Sequence, residues 1–185
     1  SRLVSLSGRA QLGVKQACAL LLAAGLGTRL SPLNKDCPKC LMPIGGRPLL
    51  EHWLCTLYKN SISNVLVNVH HHRSLVESFL AREQFTTWVS GVFEPQLLGT
   101  AGTLRQNADF FGNQINLLVH ADNWCLCDFG EFLEFHEKHR PSGTLMTMMT
   151  FRTLTPTTCG IVELLSLIHI YAPTRRYANS YAVFC

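Results

Sequence analysis

No apolar run in this 185-residue sequence approaches the roughly 18–20 residues of a membrane span; the longest near the start is Ala17 to Ala24. The opening "SRLVSLSGRAQLGVKQ" lacks the long apolar centre of a secretory signal, and Ser1 is not an initiator methionine, so the true start stays open. The expectation is a cytoplasmic protein with no membrane partner. A surplus of charge is missing from the body as well. The net charge is +4, yet between Ala17 and Glu163 there are 11 Lys and Arg against 12 Asp and Glu. The surplus comes from Arg2, Arg9, Lys15, Arg175 and Arg176 at the two ends. A nucleic-acid binder carries its basic patch on the folded body, so the distribution argues against such a partner.

Standard zinc-knuckle spacing is absent too. Of eight cysteines, Cys37 and Cys40 form a CxxC and Cys125 and Cys127 a CxC, which do not make a usual pair of knuckles. Cys18 and Cys55 fall in apolar patterns and read as small core residues. Free thiols in a reducing compartment are expected, with a zinc module as a minor alternative. His70 to His72 read as loop residues, and His136 and His139 as a solvated helix face.

What is there is an alternation. The length allows one domain with a full core. "ACALLLA" (Ala17 to Ala23) is a continuous apolar run that fits a strand buried on both faces. Asn64–Val69, Thr87–Glu94, Ile115–His120, Thr144–Phe151 and Cys159–Leu164 read as further strands. Leu49, Leu50, Trp53, Leu54, Leu57 and Tyr58 recur at helical spacing behind Pro48, which suits a first turn. Helices are also expected at Arg73–Glu83, Thr100–Phe110 and Asp128–His139, with Asp128 as the N-cap of the last. Strands alternating with helices predict an α/β, Rossmann-like, doubly wound and mostly parallel sheet, truncated at its end. Ligands of such sheets bind at the carboxyl ends of the strands.

The stretch "LLAAGLGTRLSPLNKDCPKCLMPIGGRPLL" (Leu21 to Leu50) follows the first strand and is too long for a simple connection. Gly25 and Gly27 let the backbone turn and approach a ligand closely, and successive amides in such a turn make an anion-binding concavity. Thr28 adds a hydroxyl, Arg29 a planar fork suited to phosphate oxygens, and Lys39, held between Pro38 and Pro43, a point charge. The sequence contains no GxxxxGK[ST] loop, and "GLGTRL" has Leu30 where a dinucleotide fingerprint has its third glycine. The bare GxG with a basic residue is equally compatible with a simple turn.

The whole string resolves this differently. Gly25-x-Gly27-Thr28-Arg29-x-x-Pro32 followed by Pro38-Lys39-x-Leu41-x-Pro43 closely resembles the signature of sugar-phosphate nucleotidyltransferases, with Ser31 and Asn34 as mild departures. The resemblance runs from about Ala19 to Glu163. "EPQLLGTAGTLRQN", "VHADN" and "HRPSGTLMTMMTFRT" with "CGIVEL" are most similar to the mannose-1-phosphate or heptose-1-phosphate guanylyltransferase branch.

The resemblance implies that a sugar 1-phosphate attacks the α-phosphorus of a nucleoside triphosphate and pyrophosphate leaves. It implies Arg29 and Lys39 as catalytic residues. The implied nucleotide-binding set is Leu22, Ala24, Gly25, Gly27, Thr28, Arg29, Lys39, Glu94, Gly99 and Thr100. Asp122 is the implied ligand of Mg²⁺, which favours a few carboxylates plus phosphate oxygens and waters. Taken alone, Asp122 could equally cap the next helix, Lys39 could be a solvated loop lysine, and Glu94 a surface residue. In the related enzymes the region of Glu94 holds the base. Guanine offers two adjacent donors that a carboxylate accepts together, whereas uracil and thymine suit an amide, so Glu94 favours GTP.

The implied partners are thus GTP and a sugar 1-phosphate; the oligomeric state is not read. The family continues with a Glu-Lys segment for the sugar and a second metal aspartate, neither of which occurs in this sequence. The expected organisation is a leader of uncertain extent (1–16), the N-terminal nucleotide-binding part (17–163) and a tail (164–185). That tail, ending "LSLIHIYAPTRRYANSYAVFC", resembles a translated sequencing adapter or cloning scar, has no element continuing the alternation, and is set aside from fold reasoning as non-native. The chain as given is therefore expected to be an inactive fragment of an enzyme, with a non-catalytic nucleotide-sugar-binding regulatory subunit of the same fold as the alternative.

Overall fold

The structure is a computed structural model, and it describes residues 17–27, 30, 32, 35–152, 154–155 and 157, with the strand backbones at 161–166, 169–171 and 181–183. Thr28 and Arg29, the leader 1–16 and most of the tail lie outside the described residues. In chain order come β1 (Ala17–Leu22), a 3-10 turn at Lys39–Leu41, a small hairpin of β2 (Pro43–Ile44) and β3 (Arg47–Pro48), α1 (Leu49–Lys59), β4 (Val65–Val69) and α2 (Arg73–Leu80). There follow β5 (Val89–Phe93), α3 (Gly99–Gln106), α4 (Ala108–Phe111), β6 (Ile115–His120) and α5 (Phe129–Lys138). Four more strands, β7 (Thr150–Arg152), β8 (Ile161–Ser166), β9 (His169–Tyr171) and β10 (Tyr181–Val183), complete the described chain.

The central sheet has the order β5-β4-β1-β6, and every ladder in it is parallel. Alternate residues of β1 feed two separate cores, which is why its sequence is apolar throughout. Ala17, Ala19 and Leu21 pack with Val65, Val67, Leu117 and Val119 under α1, α2 and α5. Cys18 and Leu20 pack with Leu66, Leu104, Phe110 and Phe111 under α3 and α4. Helices therefore cover both faces, and the doubly wound expectation holds. α1 presents Leu50, Trp53, Leu54 and Leu57 on one stripe, all fully buried or nearly so. Each contributes about 1.5–3 kcal/mol by leaving water, so Trp53→Ala is the single change in α1 that costs most, about 3–5 kcal/mol.

Local chemistry sets the element ends. Asp128 caps α5 by accepting from the Glu131 amide at 3.1 Å, as its place in the sequence predicted, and Asn60 Oδ1 accepts from the Gly130 amide at 3.0 Å. The helix expected over Thr100–Phe110 is interrupted at Asn107, whose backbone and side-chain amides both donate to the Thr103 carbonyl, at 3.2 and 2.8 Å, and close the last turn of α3. The helix expected over Arg73–Glu83 stops at Leu80.

The later strands depart from the expected alternation. Of Thr144–Phe151, only the end is strand, and β7 and β8 do not join the parallel sheet. They belong to a second sheet of order β7-β10-β8-β9 with antiparallel ladders. The tail was expected to add no element, yet β8 runs into it and the backbones of β9 and β10 pair with β8 on either side. An available strand edge offers unpaired backbone groups, so a short β-branched or aromatic segment pairs there without an amphipathic period of its own. Among the described residues no helix is long and apolar enough to cross a membrane.

Candidate active site

The order β5-β4-β1-β6 reverses direction between β1 and β6, because the chain runs outward through β4 and β5 before returning to β1's other side. Loops leaving the carboxyl ends of these two strands diverge and open a crevice there. β1's loop begins by bending under Asn68: the Ala23 and Ala24 amides both donate to Asn68 Oδ1, at 2.7 and 3.2 Å. Gly27 follows at φ +64°, a left-handed conformation that suits glycine, and its carbonyl accepts from the Leu30 amide at 2.8 Å. The 3-10 turn is fixed by its middle residue, Cys40, which sits in the main core and leaves Lys39 on the crevice side. Burial pushes the Cys40 thiol up to about 12, so it is not a thiolate and not a ready metal ligand.

β6's pairing with β1 continues one residue past the strand, through the Ala121 amide to the Leu22 carbonyl at 3.0 Å. That extension delivers Asp122 to the mouth of the loop. Lys39 Nζ meets Asp122 Oδ2 at 2.5 Å, with both side chains partly open to solvent. The next residues are pinned from behind, since Trp53 Nε1 donates to the Asn123 carbonyl at 2.7 Å. Trp124 packs edge-on against Trp53 and His52, with centroids 5.2 and 5.4 Å away.

The opposite wall comes from the end of β5 and the start of α3. The Glu94 amide donates to the Val69 carbonyl at 2.8 Å and its own carbonyl accepts from His70 Nδ1 at 2.7 Å. Glu94 is not a surface residue: it is only 2% exposed. Its Oε1 accepts from Thr103 Oγ1 at 2.6 Å and from Asn68 Nδ2 at 3.2 Å, while Oε2 has one long contact, the Leu98 amide at 3.5 Å. Gly99, at φ +69°, opens α3, and Thr100 Oγ1 lies 3.4 Å from His120 Nε2. Burial lowers the His120 pKa, opposed by the nearby Asp122 carboxylate, so the ring is neutral at pH 7.

These walls enclose a cleft of ≈ 200 Å³. Eight residues expected at the site line it: Leu22, Ala24, Gly25 and Lys39 from one side, Glu94, Gly99 and Thr100 from the other, and Asp122 between. Gly27 turns the loop without lining the cleft, and Thr28 and Arg29 lie outside the described residues. Ala24 lines it too, but its amide is spent on Asn68 and does not face an anion. Asn68, Thr103 and His120 also line the cleft and were not anticipated. The signals were faint: one amide in an apolar strand, a threonine three residues after Thr100, and a histidine two before Asp122.

Chemically, one end of the cleft holds a cation beside a single carboxylate, and the other a buried carboxylate, Glu94. Among the described residues there is no group of three or more His, Cys, Asp or Glu side chains placed to hold a metal. A lone carboxylate does fit Mg²⁺ that is shared with phosphate oxygens and water.

A family model described as nucleotidyl transferase matches residues 18–169, six residues past the end of the resemblance at Glu163. Over 132 residues the chain is 32% identical to the mannose-1-phosphate guanyltransferase of Aspergillus oryzae, an alignment covering 69% of this chain and 36% of that protein. Over a shorter stretch of 66 residues it is 48% identical to the N-acetylmuramate alpha-1-phosphate uridylyltransferase of Caulobacter vibrioides, covering 35% of this chain and 27% of that one. Among solved structures, a Bacillus anthracis protein described as a glucose-1-phosphate thymidylyltransferase, crystallised with sucrose, superposes with a TM-score of 0.76 at 25% identity, over 90% of this chain and 68% of that chain. The chain spans about a third of the length of the fungal guanyltransferases it matches.

Proposed function

The chain belongs to the nucleotidyl transferase family, and from that premise we propose that its protein transfers GMP from GTP to a sugar 1-phosphate, with pyrophosphate leaving. The observation that carries the reading is the meeting of Lys39 and Asp122 at 2.5 Å from two separate loops at the sheet's switch point. In the proposed reaction a phosphate oxygen of the sugar 1-phosphate attacks the α-phosphorus in line. The bond from that phosphorus to the bridging oxygen breaks, and pyrophosphate keeps the electron pair. Little covalent work falls to the protein, and positioning with charge stabilisation does most of it.

Lys39 leaves Asp122 for the phosphate oxygens when the triphosphate enters, and holds the two reacting phosphates against their mutual repulsion. Asp122, so released, is the residue that would hold Mg²⁺, which would supply charge neutralisation on the phosphates. Arg29 is assigned to the triphosphate on the sequence resemblance. His120, being neutral, adds no charge to the cleft and orients Thr100. We assign the nucleotide-binding role to residues 17–163.

The choice of GTP rests on Glu94. A carboxylate offers acceptors only, matching guanine's adjacent N1–H and 2-amino donors. Because Oε1 already serves Thr103 and Asn68, a contact from both guanine donors has to draw Thr103 away, or else Oε2 takes one of them alone. A uridine donor is the second reading, favoured by the 48% identity to the Caulobacter uridylyltransferase over its shared 66 residues. Calorimetric titration of the chain with GTP, UTP and dTTP, each with Mg²⁺, separates the two. GTP is expected to bind tightest. Preference for UTP moves the assignment to the second reading, and absence of binding by all three overturns the nucleotide site.

A further inference from the structure

Asn68 is the polar residue of β4, 4% exposed, and all of its amide is engaged across the cleft. Parallel pairing of β1 with β4 ends at Leu22 opposite Asn68. Beyond that point the Ala23 and Ala24 amides have no strand partner, and both turn onto Asn68 Oδ1 at 2.7 and 3.2 Å. Nδ2 faces the other way, 3.2 Å from Glu94 Oε1 and 3.4 Å from Thr103 Oγ1. A valine or leucine would satisfy the sheet and the Leu66 face on which position 68 lies. What an apolar side chain cannot do is accept from the first loop and donate to the second.

We propose that Asn68 is the positioning residue that ties the loop after β1 to the Glu94 wall, fixing the separation between the phosphate end and the base end of a bound nucleoside triphosphate. The inference rests on the nucleotide reading of the cleft. Asn68 need not touch the ligand; it acts through Ala23, Ala24, Glu94 and Thr103.

Two variants test it. Asn68→Ala removes both links. Asn68→Asp keeps the acceptor for Ala23 and Ala24 but sets a second carboxylate against Glu94. Two carboxylates at hydrogen-bond distance cannot both ionise cheaply, so this variant regains the link only where the pair shares a proton. The other titratable groups nearby are His70, on the Glu94 carbonyl, and Lys39, His120 and Asp122 in the same cleft. All four are present in wild type, so each variant is read as its ratio to wild type at the same pH. With GTP and Mg²⁺ as the probe, Asn68→Ala should bind about tenfold or more weakly at pH 5.5 and at pH 8, the usual result of stripping partners from buried polar groups. Asn68→Asp should be weakened by a similar factor at pH 8 and return to within about threefold of wild type at pH 5.5.

In ligand-free protein the Ala23 and Ala24 amide resonances should titrate with the introduced carboxylate, and stay pH-independent in wild type. If Asn68→Ala fails to fold, the pH response of Asn68→Asp decides alone, within one folded sample. Equal binding by wild type and both variants overturns the proposal. So does a loss in Asn68→Asp that is the same at both pH values, because the Glu94 link is then absent. Failure of wild type itself to bind any triphosphate is a separate result, and it removes the nucleotide reading together with this inference.

Discussion

At the residue scale the pair that matters most is Lys39 with Asp122. Both side chains are about a third exposed, so the contact is worth about 0–1 kcal/mol to folding and salt weakens it further. Its importance is competitive: in the free protein the lysine occupies the carboxylate assigned to the metal. Lys39→Met should therefore leave the thermal midpoint nearly unchanged and bind Mn²⁺ alone, as a stand-in for Mg²⁺, about 1.5- to fivefold more tightly, the factor that follows from a surface pair of this size. Its affinity for GTP should drop. Water-proton relaxation with Mn²⁺ and calorimetry with GTP read the two effects separately. Weaker Mn²⁺ binding in the variant would show that the lysine does not compete. Both residues were readable in the sequence because each lies in a string of distinctive neighbours. Asn68 was not, since one amide in "NVLVNV" looks the same whether it is tolerated or required. The burial of Glu94 was equally hidden, because a glutamate at a strand end is ordinarily solvated.

At the element scale, α5 is the helix whose start is set by side chains. α5 begins where Asp128 and Asn60 take the first orphan amides, and its position holds Phe129 and Leu133 in the main core. Asp128→Ala removes one of these acceptors and should cost about 0.5–2 kcal/mol, seen as a lower urea midpoint with the slope unchanged. An unchanged midpoint would mean that Asn60 alone satisfies the helix start. The cap was legible from the sequence because the chemistry is local. The break at Asn107 was not, because its carbonyl partner on Thr103 matters only once the helix exists. β1, α1 and β6 were legible for a stronger reason: their apolar periods are long and uninterrupted. Thr144–Phe151 has β-forming residues too, but its early part has no strand beside it, and composition alone does not supply a partner.

At the scale of the whole molecule, the parallel sheet and its crevice could be read from the alternation of elements, while the second sheet could not. Antiparallel ladders between β7, β8 and β10 join segments up to about thirty residues apart with no repeating pattern between them. Stability is also a whole-molecule property, and Cys40 gives it a definite pH slope. Burial raises the folded thiol to about 12 from its ordinary 9.0, so between those values the unfolded chain has lost a proton that the folded chain retains. The contribution is complete below pH 9 and lost as pH rises toward 12, by about 1.4 kcal/mol per pH unit. Urea unfolding of wild type and Cys40→Ala from pH 8 to 11 should show the difference between them shrinking as pH rises. A constant difference would mean that the thiol ionises equally in both states.

The tryptophans packed behind Asp122 have an optical consequence. Trp53 is bonded to the loop that carries Asp122, and Trp124, 40% exposed, lies against it on the same loop, while Trp88 sits before β5 at the opposite end of the sheet. Two of the three indoles therefore sense displacement of that loop and one does not. The molecule carries its own fluorophore pair at the Asp122 end of the cleft, with an internal reference, so occupancy of the cleft can be followed by emission without a label.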